Sequence, residues 1–155
     1  VGANGDDAYR VSAADDVRRL EWICDRFRHK RGMVQTFMPS VLSEGEYSLF
    51  YFNGAFSHAI LKIPKGSEFR SQEEHGSEIR PAEPEEKLLL RGRQVLETLS
   101  AIPLYARVDF VRDDEHDFVV TDLELTEPSM YLRTDPEAPG RFARAIDQRF
   151  PVSSR

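Results

Sequence analysis

The chain has 155 residues, 40% of them hydrophobic and 31% charged, which is enough for one globular domain with its own core and excludes a disordered segment. Its net charge of -6 and pI near 5.3 argue against general binding to nucleic acid or to an anionic membrane surface. The sequence has one cysteine, no apolar run that could span a bilayer and no visible signal peptide, so we expect a cytoplasmic protein without an internal disulfide or cysteine-based zinc site.

Two glycines, Gly2 and Gly5, lie in the opening turn, which leads into a short apolar stretch. Such a turn is typical of a mobile loop. A loop that covers phosphate is the alternative, because glycine lets backbone N–H groups approach an anion closely. With no lysine beside it, the composition favours the plain loop.

A helix is predicted from Ser12 to about Lys30, since Ser12 and Asp15 resemble a capping box. Its apolar side includes Cys24, which favours a small core residue over a nucleophile. The basic residues of its last turn suit the helix dipole and indicate no nucleic-acid site. The next segment, residues 33–39, predicts a buried strand that Pro39 ends.

Residues 44–64 predict a hairpin that turns at Asn53-Gly54, a strong two-residue turn signal. Its apolar run is too long for an exposed sheet, so at least one face must be covered. Lys62 follows that run, where its ammonium group could project into a cleft. The alternative, favoured by the residues alone, is an edge lysine whose head group reaches solvent.

Residues 65–81 predict a long polar loop that carries Arg70 and His75, and loops of this length are often functional. A helix from Pro84 to before Pro103 follows. After residue 131, Pro139-Gly140 introduces a last helix, which is predicted to pack through three apolar residues: Phe142, Ala145 and Ile146.

Residues 104–131 predict a second hairpin, on which the proposed chemistry depends. Strand side chains alternate between faces, so four charged residues fall on one face: Arg107, Asp109, Asp122 and Glu124. A loop over residues 113–116 predicts that Asp109 lies near Val120 and that Arg107 lies opposite Asp122.

The three carboxylates on this face would repel one another without a cation between them. Oxygen ligands with room for water and phosphate are what Mg²⁺ prefers, so a divalent ion is the first hypothesis. A solvated acidic face, or a Ca²⁺-binding face of a non-catalytic interaction module, is the competing interpretation.

The order of these segments resembles the ATP-grasp superfamily of carboxylate-amine ligases over nearly the whole chain. The motifs are the Gly-containing opening, the segment MVQTFMPS, the first hairpin, the EFRSQEEHG loop, Arg107-x-Asp109, Asp122-x-Glu124 and Glu127-Pro128-Ser129. The sequences of these motifs are most similar to those of the branch that contains prokaryotic glutathione synthetase and the ribosomal-protein glutamate ligases. The cyclo-ligase of cycloserine biosynthesis is a further relative.

The resemblance implies an α+β fold with antiparallel sheets flanked by helices, divided into a small lobe over residues 1–38 and a large lobe over 39–155. It implies ATP and Mg²⁺, with Mn²⁺ as a substitute, as cofactors. The residues that it assigns to ATP are Gly2, Gly5, Gln35, Thr36, Phe37, Met38, Glu44 and Lys62. The metal ligands are Asp109, Asp122 and Glu124, and the substrate contacts are Arg70, His75, Glu127 and Ser129.

The implied reaction joins a small carboxylate to an amine through an acylphosphate, with Arg107 and Lys62 as the catalytic cations. A kinase-like phosphotransferase is the alternative enzyme. The resemblance implies no nucleic-acid or membrane partner and leaves a homo-oligomer open. The sequence begins at Val1, so we expect the N-terminal substrate domain and the family's first phosphate lysine to be absent, and the fragment to be inactive alone.

Overall fold

The computed structural model of the protein describes residues 7–66 and 68–151. The chain divides into two compact units, Val1–Pro39 and Ser40–Arg155. The helices are α1 (Val17–Phe27), α2 (Ser40–Ser43), α3 (Glu86–Glu97) and α4 (Ala138–Arg149), and the strands are β1 (Glu46–Phe52), β2 (Ala55–Ile63), β3 (Glu78–Ala82), β4 (Tyr105–Arg112) and β5 (Phe118–Glu124). Within the described ranges, no helix has the length and apolar character needed to cross a membrane.

The first unit contains α1, which begins later than predicted. Asp16 caps it by accepting the Arg19 backbone N–H at 2.8 Å. The predicted capping pair forms the preceding turn instead, where the Ser12 N–H donates to the Asp15 carboxylate at 2.6 Å. Cys24 is exposed, so its prediction as a core residue is wrong. The reason is that α1 carries no fully buried residue.

The predicted strand over residues 33–39 does not form. These residues have no regular structure, and Met33 and Val34 are 67% and 99% exposed. A strand needs a neighbour to pair its backbone N–H and C=O groups. No described residue of the first unit forms such a neighbour, so apolar composition alone does not bury this segment.

The second unit is built on a five-stranded antiparallel sheet with the order β3-β2-β1-β4-β5. One face carries the main core, in which Leu88 of α3 is completely buried against side chains of β1 and β4. The opposite face carries a smaller cluster of Phe50, Ile60 and Tyr131. That second face also presents the charged residues described below.

The Asn53-Gly54 turn between β1 and β2 is confirmed. Both residues have a positive φ, 48° and 78°, as a tight hairpin turn requires. The predicted loop over residues 65–81 is wrong at its end, because Glu78–Ala82 pairs with β2 as the edge strand β3. Pro81 hides this strand in the sequence, since proline is tolerated only at a sheet edge.

The last helix, α4, begins near Pro139 as predicted. Its Ala145 is buried, and Phe142 packs on Phe52 with ring centroids 4.9 Å apart. Ile146 is 40% exposed, so it contributes less to this packing than predicted. It lies beside Ala145 on the helix but on the edge of the buried stripe.

Candidate functional site

A bulge in β5 sets the geometry of the charged face. Phe110 pairs with Val120, but the next pair along the strands is Asp109 with Asp122. Thr121 is therefore an extra residue in β5 without an opposite partner. The predicted register, with Asp109 near Val120, is wrong by two residues: one comes from the bulge, and the other arises because Phe118 pairs with Arg112 rather than with Val111.

The bulge changes which side chains share the face. Arg107 lies opposite Glu124 rather than opposite Asp122. Thr121, which alternation predicts on the other face, reaches the charged face and donates its hydroxyl to Glu46 at 2.8 Å. Phe118, which alternation predicts beside Asp122, is buried in the main core.

Three carboxylates meet on this face. One oxygen each of Asp109, Asp122 and Glu124 lies within 4.8 Å of the other two. Asp109 is 2% exposed, Glu124 is half-buried and Asp122 is exposed, so the group runs from the floor of the sheet to solvent. The structure thus brings together the three predicted ligands.

Lys62 is the buried cation of the group. Its ammonium donates to Asp109 Oδ2 at 2.9 Å and to Glu46 Oε2 at 3.0 Å, and the residue is 3% exposed. Its strand, β2, lies between β1 and β3. The interpretation of Lys62 as an edge lysine that reaches solvent is therefore wrong.

Arg107 is the second cation. Its Nε donates to Asp109 Oδ1 at 3.0 Å, one terminal nitrogen donates to Asp109 Oδ2 at 3.0 Å, and that nitrogen also bonds Glu124. The guanidinium is nearly buried and spans two of the three predicted metal ligands. Its hydrogen-bond partners are Asp109 and Glu124 rather than Asp122, which the predicted register placed opposite it.

The pKa shifts follow from burial and charge. Burial favours a raised pKa for Asp109, but Lys62 and Arg107 outweigh it and keep that pKa below its usual value. Burial likewise works to lower the pKa of Lys62, and Asp109 and Glu46 reverse the direction. The pKa of Glu124 is raised, chiefly because burial disfavours its charge.

The charges of the group do not balance among themselves. Lys62 and Arg107 face four carboxylates, Glu46 and the three predicted ligands, so a fully ionised group has two negative charges in excess. One divalent cation compensates this excess. The donor set consists only of oxygens and opens to solvent at Asp122, which fits Mg²⁺ with some of its waters retained.

The comparisons with known proteins agree with this architecture, although no family model matches the chain. The cycloserine biosynthesis protein DcsG of Streptomyces lavendulae is 29% identical over 76% of this chain and 42% of its own length. The crystal structure of D-cycloserine synthetase DcsG is similar with a TM-score of 0.59 at 28% identity, over 74% of this chain and 41% of that one. These similarities point to the ATP-grasp ligase superfamily.

The ATP-grasp fold is also shared with D-alanine–D-alanine ligase from Bacillus anthracis complexed with ATP. That structure has a TM-score of 0.51 at 16% identity, over 85% of this chain and 45% of that one. The chain spans about two fifths of the DcsG sequence and structure that it matches. The glutathione synthetase branch named by the sequence motifs stays a prediction.

The ATP-grasp residues predicted outside the acidic group differ in their surroundings. Gly2 and Gly5 lie outside the described residues. Gln35, Thr36, Phe37 and Met38 belong to the first unit, in the segment without a strand. Glu44 binds Arg112 at 3.0 Å and the Tyr47 hydroxyl at 2.9 Å, so the structure does not bring it to the charged face.

The predicted substrate residues lie in loops. Arg70 is bonded to Glu68, with its Nε 3.0 Å from a carboxylate oxygen. His75 ends a short 3-10 helix. Glu127 and Ser129 are exposed in the turn after β5.

Glu46 is the residue that sequence reasoning missed. It accepts hydrogen bonds from Lys62, Ser71 and Thr121, so it organises the charged face beside Asp109. The Asn53-Gly54 turn alone would pair Glu46 with Leu61. A bulge in β2 moves the register so that Glu46 lies opposite Lys62.

Proposed function

We propose that this chain is the metal- and phosphate-binding part of an ATP-dependent ligase that joins a small carboxylate to an amine. The supporting observation is the charged group of the second unit. Its four carboxylates carry more negative charge than the two cations, Lys62 and Arg107, can balance. ATP-grasp relatives that are ligases add to this support. The proposed reaction is that of a whole ligase, and this chain is proposed to supply its metal- and phosphate-binding part.

In the proposed reaction, Asp109, Asp122 and Glu124 would hold Mg²⁺, and the ion would supply positive charge to the phosphate oxygens. Lys62 and Arg107 now bond to carboxylates, and phosphate oxygens replace those partners when ATP binds. A substrate carboxylate oxygen then bonds to the γ-phosphorus as ADP leaves. The amine next bonds to the acyl carbon, and inorganic phosphate leaves.

Arg107 is proposed to stabilise the oxyanion that forms during amine attack. Its side chain extends from the strand position two residues before Asp109, on the same face. The turn with Glu127 and Ser129 would line the substrate end, and Arg70 and His75 would approach from the loop before β3. ATP dependence favours a cytoplasmic protein.

Residues 1–38 are proposed as part of the small lobe, with adenine bound along residues 35–38, and residues 39–155 as the large lobe. The ribose contact predicted for Glu44 needs its carboxylate to leave Arg112 and Tyr47. Glu46 already lies on the charged face and requires no such change. We therefore propose Glu46 as a further contributor to the nucleotide site.

Isothermal titration of the protein with ATP tests the proposal. Binding should weaken at least about tenfold when Mg²⁺ is replaced by EDTA, because phosphate would then face uncompensated carboxylates. The variant Asp122→Asn should lose most of this metal dependence, whereas Asp114→Asn, on the exposed turn of the same hairpin, should keep it. ATP binding that ignores Mg²⁺ in the parent protein would reject the metal assignment.

A second assay separates the ligase from its alternatives. Release of ADP by the intact protein should require both a carboxylate and an amine. Release with the carboxylate alone, together with a stable phosphorylated product, would indicate a phosphotransferase. Nucleotide binding without any release across a broad amino-acid panel would favour a non-catalytic module.

A further inference from the structure

A chain of hydrogen bonds crosses the second unit beside the charged face. Arg141 of α4 donates from Nε to the Ser57 hydroxyl at 3.0 Å. That hydroxyl lies 2.9 Å from Nδ1 of His58, and Nε2 of His58 lies 3.0 Å from the backbone oxygen of Met130. These hydrogen bonds therefore link α4, through β2, to the turn that follows β5.

The chemistry of the partners assigns each proton. A carbonyl only accepts, so Nε2 of His58 must carry the hydrogen that bonds Met130. In the neutral ring Nδ1 is then an acceptor, and it receives the Ser57 hydroxyl hydrogen while the Ser57 oxygen accepts from Arg141. Every donor and acceptor is matched only in this tautomer. Burial favours the neutral ring that this tautomer requires, because it lowers the pKa of His58.

The His58 ring is also fixed by packing. It is 4% exposed and stacks on Phe50, with centroids 4.3 Å apart and planes 9° from parallel. Its position follows from the bulge in β2, where Tyr51 pairs with Phe56 and Phe50 with His58, so that Ser57 is the extra residue. A rigid ring with one defined donor is suited to hold a backbone group in place.

The turn that His58 holds is strained. Glu127 and Tyr131 have φ values of 48° and 45°, a conformation that side-chain-bearing residues adopt rarely. Such a conformation costs free energy and persists only where surrounding contacts fix it. The His58 bond to Met130 is one contact, and Thr134 supplies another by donating its backbone N–H to the Tyr131 oxygen at 3.0 Å.

We propose that His58 is a positioning residue that sets the substrate-facing turn 127–131 through its bond to Met130. The inference rests on the proposed function, in which this turn lines the substrate end. His58 touches neither nucleotide nor metal in this account. Loss of its donor should therefore weaken use of the carboxylate substrate and leave nucleotide binding unchanged.

The test compares His58→Leu, which has no donor, with His58→Gln, whose amide can still donate to the Met130 oxygen. His29→Leu, at an exposed position of the first unit, is the control for the chemical change. In the intact protein, ADP release is measured with MgATP and a panel of amino acids. His58→Leu should raise KM for the best amino acid by about tenfold or more, since small misplacements are costly to reactivity. KM for ATP should stay within twofold.

Recovery of most of the amino-acid KM in His58→Gln would support positioning. An equal rise of both KM values, or no rise in His58→Leu, would overturn it. An NMR measurement on the chain is independent of activity: the His58 ring nitrogens should report the Nε2–H tautomer, and amide exchange of Thr134 should quicken in His58→Leu but not in His58→Gln.

If the intact ligase releases no ADP with any amino acid, the proposed function fails, and the NMR result alone decides whether His58 holds the turn. The opposite tautomer, or unchanged Thr134 exchange in both variants, would refute that role. Failure of the proposed function and failure of this inference are thus distinguishable.

Discussion

Replacing Lys62 by methionine should destabilise the protein strongly. The change keeps the length of the side chain but leaves the Glu46 and Asp109 carboxylates without the ammonium they share, at a site where Lys62 is 3% and Asp109 2% exposed. Removing one partner of a buried ion pair costs about 3–5 kcal/mol, because a buried charge is left uncompensated. This is a large part of the stability of a typical domain.

Urea unfolding at pH 7 measures the effect. Arg80→Met is the matched control, since Arg80 pairs with Glu78 on the neighbouring strand β3 at a surface where ion pairs contribute little. Added Mg²⁺ should stabilise Lys62→Met more than the parent protein, because the divalent ion then finds one more unpaired carboxylate. A loss similar to that of Arg80→Met, with no added response to Mg²⁺, would refute the reasoning.

Three further predictions concern packing and pH. An ideal Cβ on Gly92 would lie 1.9 Å from the Tyr51 hydroxyl, so Gly92→Ala should lower the free energy of unfolding by about 1–3 kcal/mol, measured by thermal unfolding. The control Gly140→Ala should be neutral or stabilising, because the Cβ there would meet only the flexible end of Arg144 at 3.4 Å. Tyr51→Phe should be neutral or stabilising, because this buried hydroxyl has no hydrogen-bond partner in the described chain, and it should relieve part of the Gly92→Ala defect. Because the pKa of His58 is lowered in the folded state, the unfolded chain binds the proton more tightly. The contribution of His58 to the free energy of unfolding should therefore be complete above about pH 6.5 and decline below it. Urea unfolding at pH 7.5 and 5.5 should show this decline in the parent protein and not in His58→Gln. An equal pH response in His58→Gln would contradict that assignment.

The sequence predicts the elements of the sheet better than its registers. The turn at Asn53-Gly54 follows from local backbone chemistry, and alternation together with the predicted hairpin register assigns Asp109, Asp122 and Glu124 to one face. The structure agrees on these points. Local chemistry suffices for the turn, but Asp109 shares a face with Asp122 and Glu124 only because of the bulge at Thr121.

The bulges lie beyond those rules. Without them Glu46 would pair with Leu61 and Asp109 with Thr121; each bulge shifts one strand by a residue and completes the charged face. No residue type in these strands predicts a bulge, because a bulge depends on how the whole strand pairs with its neighbour. The sequence alone therefore does not predict that Glu46 lies opposite Lys62 on the charged face.

Two other errors have a similar cause. The segment over residues 33–39 has strand-like composition, but no described strand of its unit pairs with it. Conversely, β3 contains Pro81 and reads as a loop, yet β2 offers an edge on which it pairs. In both cases the partner strand, rather than the local composition, decides the outcome.

The central claim is that the carboxylates of β4 and β5 hold a divalent ion at the nucleotide phosphates. Titration of Mn²⁺ in the presence of ADP, followed by amide NMR, tests it most directly because the ion broadens nearby signals. The amides of Asp109, Asp122 and Glu124 should broaden first, and Asp122→Asn should weaken the effect while Asp114→Asn preserves it. Broadening that begins elsewhere, or that is unchanged in Asp122→Asn, would contradict the account.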